Sequence, residues 1–155
     1  MKNFFYFNET KKINVLLADD RMHRTPMLKK AIDQLHYNTN VSTVSNGKEL
    51  MDNLYNPNLE LPHMLFIDLT TPMKTGLSYL AEIRKNEQFN ALSLIISSNS
   101  SNENDIEESF LNGANVYIRR PGNFDKLKDI LSKVICINWQ YLGSGMNREN
   151  FILSI

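Results

Sequence analysis

The sequence predicts a doubly wound α/β domain, a five-stranded parallel sheet with helices on both faces. Three observations predict it. Short apolar runs recur five times, segments with helical hydrophobic spacing alternate with them, and Gly-, Pro- and Asn-rich breaks separate the two. Strands covered on both faces read as such continuous runs, because each crossover helix buries one side of a parallel sheet.

Taken in order, "INVLLA" is the first strand and stops at Asp19 and Asp20. Leu28, Ala31, Ile32 and Leu35 then recur at helical spacing, and "NVSTV" from Asn40 is a short β-branched run. "SNGKELMDNLY" reads as a Gly-opened loop entering a helix that ends before Pro57. Met64, Leu65, Phe66 and Ile67 form the third strand, which runs into Asp68 and the loop "LTTPMKTG". Leu77, Leu80, Ala81 and Ile83 give the next helix, and "LSLIISS" the fourth strand. "NENDIEESFLNGA" is a helix closed by Gly113, and "NVYI" the fifth strand. Phe124, Leu127, Ile130, Leu131, Val134 and Ile135 trace a last amphipathic helix to about Trp139. The organisation is therefore an extension over 1–12, one domain over 13–139 and a tail over 140–155.

A chain of 155 residues, 42% hydrophobic, has the length to bury one core. Its 17 basic residues balance 17 acidic ones, which argues against a long polyanion such as nucleic acid, or an anionic membrane surface, as partner. The single cysteine, Cys136, excludes an internal disulfide and a cysteine-based zinc site and fits a reducing compartment. His23, His36 and His63 lack ligand spacing and read as surface or capping residues. No apolar run approaches the roughly 20 residues needed to span a bilayer, and "MKNFFYFNETKK" lacks a secretory cleavage site, so the expected location is cytoplasmic. The aromatic opening reads as an element packed on the domain or an arm for a partner.

The carboxyl ends of the strands carry the chemistry. Asp19, Asp20 and Asp68 converge if strands one and three are neighbours, as in the order 2-1-3-4-5, and ligands of open parallel sheets bind at such ends. Three close carboxylates repel one another unless one is protonated or a cation sits among them. An all-oxygen cluster suits Mg²⁺, which takes one or two carboxylates, waters and a phosphate oxygen. Ser97 and Ser98 end strand four with hydroxyl donors, and Arg119 and Arg120 end strand five with guanidinium forks suited to phosphate oxygens.

The acidic pair "DD", "DLTTPMKTG", "SS" and "GANVYIRRP", in that order, resemble the receiver domain of bacterial two-component response regulators. "PMKTGL", "SSNSSNEND" and "NW" resemble the stand-alone receivers found near bacteriophytochrome kinases and in Bacteroidetes. The resemblance implies that Asp68 is the phosphoacceptor of a Mg²⁺-dependent phosphorelay, served by a histidine kinase or phosphotransfer protein. It implies Asp20, Asp68 and the carbonyl of Thr70 as Mg²⁺ ligands, with Asp19 acting mainly through a bound water. Ser98 falls on the switch hydroxyl and Tyr117 on the switch aromatic. Arg120 stands where the family has lysine, Thr71 where methionine is common, and Thr75 where an acidic or amide residue is frequent.

Such a protein is no enzyme in the ordinary sense, since it catalyses only its own phosphorylation and dephosphorylation. The sixteen residues after Trp139 are too few for an output domain, so signalling is expected through protein contacts. A homodimer or docked partner at the face of helix four, strand five and helix five is expected, motivated by Tyr117 and the apolar end "FILSI". Among rivals, a haloacid-dehalogenase-type phosphatase would show D-x-D, but position 70 is Thr; a flavodoxin would not open its phosphate loop with "DDRMHR". The remaining alternative is a pseudo-receiver, a binding module without phosphotransfer.

Overall fold

The structure, a computed structural model, describes residues 12–18, 25–68, 73–99, 102–141 and 152–153. Strands β1 (Ile13–Ala18), β2 (Thr39–Val44), β3 (Met64–Asp68), β4 (Ser93–Ser98) and β5 (Val116–Arg119) alternate with helices α1 (Thr25–Asp33), α2 (Gly47–Tyr55), α3 (Met73–Lys85), α4 (Glu103–Leu111) and α5 (Phe124–Tyr141). A 3₁₀ turn over Glu87–Phe89 links α3 to β4. All neighbouring strands pair in parallel, in the order β2-β1-β3-β4-β5, and Ile152–Leu153 adds a sixth strand, β6, on the β5 edge. Five strands in the expected order are thus present. The short β6 pairs Tyr117 with Ile152 and Ile118 with Leu153, so part of the tail joins the sheet of its own domain.

The continuous apolar runs divide between two cores, one on each face. Leu16, Leu65, Leu94 and Ile96 face Leu50 and Leu54 of α2, Leu80 and Ile83 of α3, and Ile106 of α4. Leu17, Phe66, Ile95 and Val116 face Leu28 and Ile32 of α1, and Leu127 and Leu131 of α5. Alternate residues of each central strand enter opposite cores, which is why these strands carry no polar alternation.

Local signals set the helix boundaries. Asn46 Oδ1 accepts from the Glu49 N–H at 2.8 Å and the Glu49 carboxylate accepts from the Ser45 N–H at 2.7 Å, which satisfies donors at the start of α2. At Gly47 the helix start comes close to α3: a Cβ there would sit 1.8 Å from Cζ of Tyr79, so a larger residue would have to displace that ring. Gly113 closes α4 with φ of 103°, where side chains are strained. Of the histidines, His63 is a capping residue, its Nδ1 accepting from the Asn14 N–H at 2.9 Å, while His36 is exposed and His23 lies outside the described residues. Among the described residues no helix is long and apolar enough to cross a membrane.

Sequence patterning did not reveal Arg84. Its guanidinium donates to the carbonyls of Gly113 (2.8 Å), Leu92 (2.9 Å) and Phe89 (3.3 Å) and to Asn115 Oδ1 (2.6 Å). Asn115 Oδ1 also accepts from the Leu94 N–H at 2.8 Å, so this fork ties α3 to the starts of β4 and β5. Desolvation lowers the Arg84 pKa from its ordinary value. Arg84→Met leaves several part-buried carbonyls without donors and should cost about 3 kcal/mol in denaturant melts, by the usual penalty per orphaned group. Arg84→Lys should recover only part of it, because one ammonium cannot span the fork. Equal stability of the methionine variant and the wild type would show that water replaces the guanidinium freely.

Candidate functional site at the carboxyl ends of the strands

Parallel pairing brings the carboxyl ends of β1, β3, β4 and β5 side by side. Ala18 pairs with Ile67, Asp68 with Ser97, and Ser98 with Arg119. Asp68 is the last residue of β3, and the acidic pair Asp19–Asp20 directly follows Ala18 in the chain. Asp19, Asp20, Thr70, Thr71 and Thr75 belong to stretches whose side chains, and at most of these positions backbone, lie outside the described residues, as does the Asp68 side chain.

Beside Asp68 in the sheet, β4 ends in two sheltered polar side chains. Ser97 and Ser98 are buried, at 1% and 3% exposure, among the few polar residues in the core. The Ser97 hydroxyl has no hydrogen-bond partner among the described residues, nor has the buried Nε of Arg119. The Arg120 N–H donates to the Ser98 carbonyl at 2.8 Å, which fixes the start of the β5–α5 loop against the end of β4. Arg120 Nε lies 3.4 Å from Asn99 Oδ1, a contact the sequence did not signal. Ser98, Asn99 and Arg120 are thus neighbours.

Tyr117 corrects one expectation. It is fully buried, at 0% exposure, in the core between the sheet and α2, α3 and α4, so it offers no apolar surface to a partner. Its phenol ring packs inward because β5 alternates, and position 117 faces α4. On α4 itself, Leu111 at its end is an exposed apolar residue, 72% exposed.

The donor set suits a hard divalent cation. Asp19, Asp20, Asp68 and the Thr70 carbonyl, the ligands expected from the sequence, would offer oxygen alone, and no described histidine or cysteine stands at these strand ends to attract a softer metal. Ser98 at the end of β4, one strand away, offers a hydroxyl, and Arg120 just past β5, two strands away, a guanidinium suited to an oxyanion.

A sequence profile of the response regulator receiver domain matches residues 15–132, more than half of the chain. A probable methanogenesis regulatory protein, FilR2, from Methanothrix harundinacea is 24% identical over 123 residues, covering 77% of this chain and 79% of that protein. The phosphorylated cyanobacterial phytochrome response regulator RcpA superposes with a TM-score of 0.72 at 26% identity, covering 88% of this chain and 98% of that one. The Mn²⁺-bound form of response regulator Rcp1 superposes with a TM-score of 0.69 at 21% identity, covering 85% and 96%, a likeness of fold.

Proposed function

Because the chain belongs to the response regulator receiver domain family, we propose that Asp68 accepts a phosphoryl group from a histidine kinase or phosphotransfer protein, in a Mg²⁺-dependent step. The observation that supports this most is positional: Asp68 ends β3 in register with Ser97, one residue beyond the pairing of Ala18 with Ile67. A carboxylate oxygen of Asp68 forms a bond to phosphorus as the phosphorus–nitrogen bond to the donor histidine breaks, and the electron pair returns to the imidazole nitrogen. The Ser98 hydroxyl donates to a phosphoryl oxygen, and the Arg120 guanidinium balances its charge. Asp19, Asp20, Asp68 and the Thr70 carbonyl would hold Mg²⁺, which when bound supplies charge to offset repulsion between carboxylates and phosphoryl oxygens.

The phosphorylated protein signals by contact through the face of α4, β5 and α5, with a second copy or a target. Exposed Leu111 supplies an apolar anchor there, and α4 carries Glu103, Asp105, Glu107 and Glu108 without a basic residue. Phosphate-tag electrophoresis after treatment with acetyl phosphate and Mg²⁺ tests the reading: a retarded band is expected, and no band with or without Mg²⁺ favours a pseudo-receiver. Arg120 alone favours that second reading, because a planar guanidinium replaces the family's lysine. Arg120→Lys should raise both Mg²⁺ affinity and the labelling rate, since the bulkier fork competes with the cation for the carboxylates. A lysine variant that binds Mg²⁺ no tighter and labels no faster would make the arginine an ordinary substitute.

A further inference from the structure

At the opposite side of the sheet from β5, the outer edge of β2 pairs with no other strand among the described residues. Exposed strand edges are ordinarily protected by charge, proline, a bulge or brevity, because their free N–H and C=O groups template another strand. None of these devices is present. No residue from 37 to 47 is charged or proline, in a chain that is 22% charged. The six residues of β2 pair one-to-one with β1, from Ile13 with Thr39 to Ala18 with Val44, so no bulge interrupts the strand. Asn40, Ser42 and Thr43 are exposed.

The ladder fixes which groups are free. The Ile13 N–H donates to the Asn38 carbonyl at 2.8 Å, and Ile13 is in parallel register with Thr39. In a parallel ladder a residue bonds to the positions before and after its partner, so residues 38, 40, 42 and 44 turn their backbone groups to β1. Thr39, Val41 and Thr43 turn theirs outward, where no strand pairs with them among the described residues.

We propose that this edge joins a second copy of the chain, β2 against β2 in antiparallel register across a two-fold axis centred on Val41. In that register Val41 faces its counterpart, and Thr39 faces Thr43 of the other copy. Every facing pair is outward-turned and exchanges both backbone hydrogen bonds. Asn40 meets Ser42 on the side of α2, two uncharged polar side chains able to hydrogen-bond across the axis. The edge is self-complementary as a two-fold contact demands, and no like charges oppose its closure. This contact leaves α4, β5 and α5 free and does not depend on phosphate at Asp68.

Sedimentation equilibrium on the unphosphorylated full chain tests it, with hydrogen exchange of individual amides. The expected result is a concentration-dependent dimer in which the Thr39, Val41 and Thr43 amides gain protection as concentration rises. Thr43→Pro removes an outward N–H without removing a bond to β1 and should weaken association at least about tenfold, whereas Thr43→Val should not. Ser42→Lys brings positive charges together near the axis and should weaken association likewise, with recovery in high salt; it serves if the proline variant fails to fold. A monomer up to about millimolar protein, or a dimer indifferent to both Thr43→Pro and Ser42→Lys but abolished by Leu111→Asp, would overturn the proposal.

Discussion

Asp68→Asn is expected to reduce phosphoryl labelling to background while leaving the fold intact. Asparagine is nearly isosteric, and Asp68 sits at the end of β3, where an amide is tolerated as well as a carboxylate. What it loses is the anionic oxygen that attacks phosphorus, so the effect falls on chemistry. If Asp19, Asp20 and Asp68 converge as proposed, removing one carboxylate should also relieve repulsion among them. The variant should therefore melt no lower than wild type. Labelling of the variant at the wild-type rate would mean that another residue accepts the phosphoryl group.

Asp20→Ala is expected to weaken Mg²⁺ binding by an order of magnitude or more, as loss of a ligand typically does. The titration can be read by fluorescence or calorimetry without any phosphodonor, which separates metal binding from transfer. The buried Ser97 and Ser98 hydroxyls on β4 should not compensate, since a hydroxyl brings no negative charge to the cation. Unchanged affinity in the alanine variant would remove Asp20 from the metal site.

The strand ends were legible in the sequence because strands covered on both faces write themselves as unbroken apolar runs, and the first polar residue after each run marks the carboxyl end. Ala18, Asp68 and Ser98 end β1, β3 and β4, at or one residue from where those runs and the polar residues after them place the strand ends. The last helix runs two residues past the expected Trp139, to Tyr141. Other features left no local trace. Arg84 stands out by no pattern in the sequence, because its partners are main-chain carbonyls of Phe89, Leu92 and Gly113, which only the fold brings together. The two-residue β6 is too short for a periodicity, so the apolar tail read as an exposed appendage although Ile152 and Leu153 pair with β5. The inward packing of Tyr117 follows from the face that β5 turns toward α4, and an aromatic residue in a strand does not disclose that by itself.

The most direct measurement is to phosphorylate the full chain with acetyl phosphate and Mg²⁺, reduce the acyl phosphate with borohydride, and map the modified residue by peptide mass spectrometry. One modified position, Asp68, is expected, with no modification when Mg²⁺ is chelated. Modification at any other carboxylate, or none under saturating donor and Mg²⁺, would contradict this assignment.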